Sequence, residues 1–458
     1  NRRDLLRAGA VGVSAALLPE GLAARTLPNR PAATAKSVIL LWMAGGVTHI
    51  DSFDPKPAAP EQIRGTLSVI DSTVPGVRFT EVMPGLAKQA HRLALVRSFA
   101  HGNNDHFLSQ AWALSGRKVT SMTQITEEPN VGAFVSHLLG PRAGFPGYLA
   151  VPGTTRPGPP PYNLFVGGWL GREHAPFPTA GAPRNEDFTA RVTEVPEDEF
   201  NQQALKPPTG VDAFRLNDRR SLRARLEASL RAAETGGQAE ALARQYQGAF
   251  AMLTAPAVRR AFELEREPEP TRARYGKTKI GQRCLLARRL VEAGARFVLV
   301  DYGYDPEYGN LWDNHAAPVQ NQPHISEMAK RPYHLAGMDR AFAALLDDLA
   351  ARGRLDETLV VFLTEFGRTP TINSLGGRDH WGDAGSIFFA GGGTRGGQVI
   401  GATDKRGAAV TTRRHTAGDV AATIYRALGI DPQTVVHDRQ GRPMVVLPEG
   451  EAIPGVLA

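Results

Sequence analysis

The stretch YHLAGMDRAFAALLDDLAARGRLDETLVVFLTEFGRTP (333–370) carries the pattern that decides the fold. Apolar residues recur at helical spacing through its first half, and a turn at Gly353 follows. The second half contains the unbroken apolar run LVVFL, which is typical of a strand buried on both faces of a parallel sheet. The stretch therefore predicts a helix, a glycine turn and a buried strand in succession.

The same two kinds of segment recur along the chain. Further strands are predicted in AKSVILLWMAGG (35–46), HRLALVRSF (91–99) and SIFFAGGG (386–393), further helices in PNVGAFVSHLLG (129–140) and TAGDVAATIYRALGID (416–431), and a helix followed by a strand in KIGQRCLLARRLVEAGARFVLVDYG (279–303). Apolar strands that alternate with helices indicate an α/β fold with a doubly wound, mostly parallel sheet.

Composition and charge narrow the functional classes. Apolar residues make up 42% of the 458 residues and charged residues 22%, which indicates a globular chain and excludes a disordered one. The net charge of +7 would suit an anionic partner, but acidic residues interleave with the arginines of FRLNDRRSLRARLEASLRAA (214–233). No basic run with interleaved aromatic residues occurs, so nucleic-acid binding is not expected. Cys284 is the single cysteine; it lies on the apolar stripe of a predicted helix and is expected to be buried.

The first residues, NRRDLLRAGAVGVSAALLPEGLAA (1–24), are typical of a twin-arginine export signal. Arg2 and Arg3 precede an apolar run that is too short to span a bilayer, and cleavage would follow Ala23 or Ala35. The alternative is a basic amphipathic start to a cytosolic helix. We expect 1–35 to be a signal and processing region, and the protein to be periplasmic or extracellular. No other segment approaches membrane-span length, so no transmembrane span is expected.

The remainder, 36–458, is predicted to be a single α/β domain. Residues 141–210 are rich in proline and glycine and are expected to form an irregular insertion that covers one face of this domain. Residues 211–266 carry periodic leucine and alanine and are expected to be mostly helical.

Five loops at the predicted strand ends deliver carboxylate and imidazole side chains. In open α/β sheets ligands bind at such loops, and divalent metals of borderline softness take mixed histidine and carboxylate ligands. The candidate metal ligands are His49, Asp51, His106, Asp313, His315, Glu365, Asp379 and His380. Zinc is the first choice of metal, with manganese or calcium as alternatives. The structural alternatives are turn or cap roles for the aspartates, a surface position for His315 and an ion pair between Glu365 and Arg368.

Three arginines lie near these loops and suit a phosphate or sulfate ester, because a guanidinium fork matches a tetrahedral oxyanion. They are Arg97, Arg368 and Arg378. Arg368 or Arg378 is expected to stabilise the charge that develops during ester cleavage, although a salt bridge to a nearby carboxylate is the alternative for each. Thr48 is the hydroxyl nearest to the candidate ligands, and a bound metal is expected to activate either this hydroxyl or a water as the nucleophile.

Several of these segments together resemble one family. The motifs are GGVTHIDSFDPKP, LALVRSFAHG, RYGKTKIGQRCLLARRLVEAGARFV, WDNH, TEFGRTP, GGRDHW and GGQVIGATD. They resemble the twin-arginine-exported proteins called domain of unknown function 1501, over essentially the whole mature chain. That family is placed in the sulfatase and alkaline phosphatase-like superfamily. The resemblance implies a three-layer sandwich with a mostly parallel central sheet, helices on both faces and metals at the strand ends.

The resemblance carries over to particular residues only in part. Asp313, His315 and His380 match one metal site of the superfamily. At the second site this chain departs, because Glu365 and Phe366 stand where the superfamily has an Asp-His pair. No aspartate ends the first strand, and the Cys-x-Pro-x-Arg signature of formylglycine sulfatases is absent.

The sequence thus predicts an exported metal-dependent hydrolase of phosphate or sulfate esters that lacks a formylglycine cysteine. Its substrate would be an anionic ester, with polysaccharide esters included. The alternative is an inactive sulfatase-like protein with a binding or structural role in the cell envelope, because no nucleophile is evident.

Overall fold

The computed structural model describes residues 31–153, 164–179, 255–305, 309–315 and 322–458. The predicted twin-arginine segment, apart from its last positions, lies outside these residues. Much of the predicted proline- and glycine-rich insertion and most of the predicted helical segment lie outside them as well. The statements that follow concern the described parts of the chain.

Eight strands form the central sheet and are numbered here in chain order. They are Ser37–Trp42 (β1), Leu93–Phe99 (β2), Leu149–Val151 (β3), Phe177–Pro178 (β4), Phe297–Asp301 (β5), Thr358–Leu363 (β6), Gly385–Ala390 (β7) and Gln398–Ile400 (β8). Their spatial order is β8-β2-β7-β6-β1-β5-β3-β4. Neighbouring strands are parallel except at β7, which runs antiparallel to both β6 and β2.

Helices occupy most of the connections between these strands. They are Glu61–Arg64 (α1), Pro84–Gln89 (α2), His106–Ser115 (α3), Gln124–Glu127 (α4), Val131–Leu139 (α5), Pro256–Phe262 (α6), Glu269–Tyr275 (α7), Lys279–Glu292 (α8), Ile325–Ala329 (α9), Leu335–Ala351 (α10) and Ala417–Ala427 (α11). Short 3-10 turns occur at Ala90–Arg92, Gly168–Leu170, Arg172–His174, Leu264–Arg266 and Leu355–Glu357. None of the helices in the described ranges has the length and apolarity that a bilayer crossing requires.

Four two-stranded ribbons lie outside the central sheet. They pair Val69–Asp71 with Arg78–Thr80, Tyr304–Asp305 with Gly309–Asn310, Gly367–Arg368 with His380–Trp381, and Val435–His437 with Pro443–Val445. The third of these ribbons links β6 to β7 at one edge of the sheet.

Alternate residues of the central strands face two separate cores. Ile39 and Leu41 of β1 pack in a core that includes apolar residues of α2, α8 and α10. Val38 and Leu40 point to the opposite face, where α3, α5 and α11 supply the core. The predicted α/β class is therefore confirmed: a three-layer sandwich with a mostly parallel central sheet and helices on both faces.

The stretch 333–370 adopts the predicted order of elements. Helix α10 ends before Gly353, whose φ of 62° lies in the left-handed region that glycine tolerates, and β6 follows with all six residues buried. The predicted strand after 386 is also present as β7, but it runs antiparallel. In the described chain no helix connects β6 to β7. The chain therefore turns back at the edge of the sheet where β6 ends, and β7 runs in the opposite direction. Cys284 is buried on α8, as predicted.

A buried carboxylate on α10 leads to a first prediction. Asp339 is 4% exposed and accepts hydrogen bonds from the N–H groups of Gly85 (2.8 Å) and Leu86 (2.6 Å) at the start of α2. Burial raises the pKa of Asp339 from 3.8 to about 6, against the effect of these two donors. The folded state therefore holds more protons than the unfolded state between these two values, and this contribution to stability is lost as the pH rises through the folded pKa.

We expect the unfolding free energy of the wild type, relative to that of Asp339→Asn, to fall by up to ~3 kcal/mol as the pH rises from about 4 to about 6. Urea denaturation of both proteins across this pH range measures the difference. A difference that does not change with pH would show that Asp339 titrates at its ordinary pKa.

Candidate metal centre

One edge of the central sheet gathers the candidate ligands. The carboxyl ends of β1, β2, β5 and β6 meet there, because these four strands run in the same direction. The loop that precedes β7 starts at the same edge, since β7 runs the opposite way. Residues that follow four strands and precede a fifth are thus brought together.

Asp313 lies at the middle of this group. Its Oδ1 atom is 3.1 Å from His106 Nε2, 3.1 Å from His380 Nε2, 2.8 Å from His315 Nδ1 and 2.8 Å from the Arg368 guanidinium. Burial of Asp313 opposes its ionisation, but Arg368 and the three imidazoles outweigh burial and hold the pKa of this carboxyl well below its usual range. Asp313 is therefore an ionised carboxylate surrounded by nitrogen atoms.

The protonation of two of these imidazoles follows from their other partners. His380 Nδ1 lies 3.0 Å from the carbonyl oxygen of Asn104, which can only accept a hydrogen bond. His106 Nδ1 lies 2.7 Å from Oε1 of Glu365, an ionised carboxylate. Both Nδ1 atoms must therefore carry the proton, and a neutral ring then presents the lone pair of its Nε2 to Asp313.

Two imidazole nitrogens whose lone pairs point at one carboxylate oxygen form an arrangement that is typical of a metal site. His106 Nε2 is buried and has no hydrogen-bond partner, although Asp313 Oδ1 is close. One ligand atom from each of His106, Asp313 and His380 lies within 4.8 Å of the other two. A divalent cation satisfies all three at once, and two imidazoles with one carboxylate are a donor set that zinc accepts. The residues present therefore fit a single divalent ion.

Protonation of Nε2 is the alternative to a bound cation as a partner for this atom of His106. Burial disfavours the imidazolium, but the carboxylates of Asp313 and Glu365 outweigh burial and raise the pKa of His106. The same carboxylates that would favour a cation on Nε2 therefore favour a proton there when no cation is bound.

Glu365 lies behind His106 and not beside the other ligands. Its Oε1 accepts from His106 and from Gln110 Nε2 at 2.7 Å, and its two oxygens lie 2.8 and 2.9 Å from the N–H of Gly45. The N–H of Gly46 lies 3.2 Å from Oε2. Burial opposes the charge, but His106 and these other donors lower the pKa of Glu365 to about 2. We predicted Glu365 as a ligand; its oxygens are instead occupied by protein donors.

The two glycines after β1 allow this arrangement. Gly45 and Gly46 have φ values of 126° and 83°, so their N–H groups can both turn towards Glu365. A Cβ atom added to Gly46 would lie 2.7 Å from the Phe366 ring and 2.9 Å from Arg368 Nε. Substitution at this position would therefore displace groups that support Asp313.

We expect Gly46→Ala to lower the unfolding free energy by ~2–4 kcal/mol, since strained backbone and overpacking each cost ~1–3 kcal/mol. Gly76→Ala is the matched control, because Gly76 has a φ of 77° but nothing within 4 Å of an added Cβ. Urea denaturation of the two variants separates backbone strain from the clash. Equal losses in both variants would contradict the packing account.

Thr48, Asp51 and Arg378 form a separate buried network, and His49, which is also buried, lies between Thr48 and Asp51 in the chain. Arg378 donates to both oxygens of Asp51 at 2.7 and 2.9 Å, and the Thr48 hydroxyl donates to Asp51 Oδ2 at 2.7 Å. His49 Nε2 lies 2.8 Å from the carbonyl oxygen of Gly407. Thr48, Asp51 and Arg378 thus satisfy one another away from Asp313, whereas His49 Nδ1 is buried without a hydrogen-bond partner among the described residues. These contacts give no support to the predicted roles as nucleophile, ligands and charge stabiliser, which stay predictions.

The remaining predicted residues have other partners. Arg368 donates to the carbonyls of Gly45, Gly46 and Arg378 as well as to Asp313, so it supports the site from within and does not face solvent. Asp379 is exposed and accepts from Asn373 Nδ2 at 2.9 Å. The predicted roles, charge stabilisation for Arg368 and metal ligation for Asp379, stay predictions that these contacts do not support.

Some contributors to the site were not predicted. Gln110 follows His106 by four residues on α3, a spacing that places both on one helical face and could have been read from the sequence. His334 is not among the predicted site residues, yet it is fully buried, lies 3.0 Å from Asn314 Oδ1 and contacts the Trp312 ring. It thereby holds the residue between Asp313 and His315.

Comparisons with known proteins place the chain in a family. No curated protein matches it. Among solved structures it is similar to the phosphonate monoester hydrolase SpPMH from Silicibacter pomeroyi (11% identity, 92% of this chain, 76% of that chain, TM-score 0.39). It is also similar to the lipoteichoic acid synthase LtaP from Listeria monocytogenes (10%, 93%, 78%, 0.37) and to the sulfatase PsFucS1 from Pseudoalteromonas sp. (10%, 88%, 68%, 0.37).

A family model described as "Protein of unknown function (DUF1501)" matches residues 35–457. This range includes every residue of the centre described above. The chain therefore belongs to the DUF1501 family.

Proposed function

We propose that the chain is an exported metal-dependent hydrolase of phosphate or sulfate esters. One observation carries this proposal: the Nε2 lone pairs of His106 and His380 converge on Oδ1 of Asp313 at the carboxyl edge of the sheet. Sheet edges of this kind are where α/β proteins bind their ligands. The substrate would be an anionic ester, including esters on polysaccharides.

His106, Asp313 and His380 would hold the cation, for which zinc is our first choice and manganese or calcium are alternatives. A divalent ion in such a site polarises an ester oxygen and lowers the pKa of water. Arg368 neutralises part of the charge of Asp313 and fixes its position, at 2.8 Å from Oδ1. The protein thus supplies a rigid carboxylate and two oriented imidazoles.

His315 is the group best placed to move a proton. Its side chain is 37% exposed, more than those of His106 and His380, and its Nδ1 lies 2.8 Å from Asp313. Donation from Nδ1 to the carboxylate fixes the ring and leaves Nε2 free to take a proton from water or give one to the leaving oxygen.

Water is the nucleophile in this proposal. The Thr48 hydroxyl already donates to Asp51, and Cys284 is fully buried on α8, so neither is presented to a substrate. Ester cleavage would then proceed by direct attack of water on phosphorus or sulfur, with no covalent intermediate on the protein.

Export through the twin-arginine pathway to the periplasm or the extracellular space is part of the proposal. It rests on Arg2, Arg3 and the apolar run that follows them. Sequencing the N-terminus of protein recovered from outside the cytoplasm tests it, and a mature chain that begins after Ala23 or Ala35 is the expected result. An uncleaved chain retained in the cytoplasm would contradict it.

The activity is tested with the full chain, stripped of metal and then reloaded with zinc, manganese or calcium. Nitrophenyl phosphate monoesters, diesters, phosphonates and sulfates report hydrolysis by colour. We expect turnover of at least one of these esters in a loaded form and none in the stripped form. Stable cation binding without turnover of any of them would favour the alternative, a binding protein that has kept the fold.

A further inference from the structure

We infer that this centre takes one divalent cation and not two, and that Glu365 is a positioning residue for His106. The inference rests on the proposed function, because it specifies how the proposed metal is held. It concerns the region on the Glu365 side of Asp313, where the ligands of a second ion would have to lie. Three features of this region exclude a second ion.

The first feature is the set of hydrogen bonds that the Glu365 carboxylate already accepts. Both carboxylate oxygens receive hydrogen bonds from fixed protein donors, namely the N–H groups of Gly45 and Gly46, Gln110 Nε2 and His106 Nδ1. The carboxylate is fully buried, so water cannot replace a donor that is displaced. Coordination by Glu365 would strand two backbone N–H groups, and each buried unpaired donor costs ~1–3 kcal/mol.

The second feature is a charge that is already in place. The Arg368 guanidinium contacts Asp313 Oδ1 at 2.8 Å and is 2% exposed, so a second cation on this oxygen would lie against a fixed positive group. The Phe366 ring, whose centroid lies 4.9 Å from that of His106 and 5.1 Å from that of His380, adds an apolar wall without a donor atom. The Arg368 guanidinium and the Phe366 ring together occupy the space in which the ligands of a second ion would have to lie.

The third feature is that the remaining candidate ligands, Asp51 and His49, already have other contacts. Asp51 is fully buried with both oxygens on Arg378, which leaves no oxygen for a metal. His49 Nε2 lies 2.8 Å from the carbonyl oxygen of Gly407, and its Nδ1 is buried next to Gly367, where an added Cβ would lie 2.7 Å from it. Neither residue can turn towards Asp313 without breaking a buried contact.

The charges agree with a single ion. With neutral imidazoles, the carboxylates of Asp313 and Glu365 and the guanidinium of Arg368 leave one net negative charge. One divalent cation turns this into one net positive charge, which suits an anionic ester. A second divalent cation would leave three positive charges in a largely buried space, which is unfavourable at low dielectric.

Glu365 then acts through His106. Its Oε1 accepts from Nδ1 at 2.7 Å, which fixes the tautomer and turns Nε2 towards Asp313. Carboxylates behind metal-binding histidines orient the ring and raise its basicity, and their loss costs ~10–100-fold in metal affinity. The pair Glu365–His106 is therefore a means of positioning one ligand and not a second metal site.

Titration of the stripped full chain with Co²⁺, followed by visible absorption, counts the ions. We expect the absorption to saturate at one equivalent per chain. Saturation at two equivalents would overturn the single-ion inference while leaving the proposed function intact. No cobalt binding at all would overturn both, because the proposed function itself requires a metal.

The role of Glu365 is tested in Glu365→Gln. We expect cobalt affinity to fall ~10–100-fold, with saturation still at one equivalent and an unchanged band shape. A changed band shape would show that Glu365 coordinates the ion and would overturn the positioning role. Should this variant not fold, Gln110→Ala replaces it, because it removes one hydrogen bond to the same carboxylate. Several-fold weaker binding with the same bands is then expected, and an unchanged affinity would contradict the inference.

Discussion

The His380→Ala protein is expected to lack the proposed divalent cation and the proposed ester-hydrolysing activity while keeping its fold. His380 supplies one of two imidazole lone pairs at Asp313, and its side chain is 27% exposed on a ribbon beside the sheet. Removing a direct ligand should weaken metal binding by more than the ~10–100-fold that loss of an outer partner costs. The stripped variant should unfold within a few degrees of the stripped wild type, since little apolar surface is lost.

His437→Ala is a matched control for this prediction. His437 is more exposed than His380 and, like it, lies on a two-stranded ribbon, Val435–His437 with Pro443–Val445. Isothermal titration with zinc and an ester assay on both variants give the comparison. We expect His437→Ala to behave as the wild type. Full metal binding by His380→Ala would remove this histidine from the centre and leave the proposed ligand set untenable.

The largest expected loss of stability follows removal of Asp51. Arg378 and Asp51 are both fully buried, and Asp51→Ala leaves the guanidinium without its carboxylate partner. Breaking a buried ion pair from one side costs ~3–5 kcal/mol, and we expect a loss of that size in urea denaturation. Binding of a metal by protein that remains folded should be unaffected by the substitution, because Asp51 does not contact Asp313.

An exposed ion pair supplies the reference for this measurement. Arg413 and Glu451 lie 3.0 Å apart with side chains 56% and 76% exposed, so solvent screens the pair and Glu451→Ala should cost far less stability than Asp51→Ala. If Asp51→Ala instead preserves stability but removes a metal ion, Asp51 is a ligand after all. The separation of the two networks described above would then be incorrect.

The sequence was sufficient to predict the layers of the fold and not the direction of every strand. Runs such as LVVFL at 359–363 are apolar on both faces, which indicates a strand covered by helices on each side. The run at 386–390 is equally apolar, and β7 is equally buried, yet it is antiparallel. The burial of a strand determines its hydrophobic pattern, whereas the direction of the strand depends on the segment that connects it to the preceding strand. The pattern of β7 therefore gives no information about its direction.

The candidate site was predictable to the same extent. The rule that ligands follow strand ends located His106, Asp313, His315 and His380, and the structure brings these four together. The rule could not separate Asp313 from Asp51, because both follow apolar strands. What separates them is their partners, and Asp51 meets an arginine 327 positions away in the chain. Contacts over such a distance are set by the finished fold and leave no local signal.

Elemental analysis of the full-length protein, purified without chelator, tests the central claim most directly. The account predicts one equivalent of a divalent metal ion, zinc first, bound to each chain of the wild type, and none bound to His380→Ala treated in the same way. Wild-type protein that contains no such metal, and takes up none after soaking in zinc, manganese and calcium, would contradict it. The cluster around Asp313 would then be held together by protons and Arg368 alone.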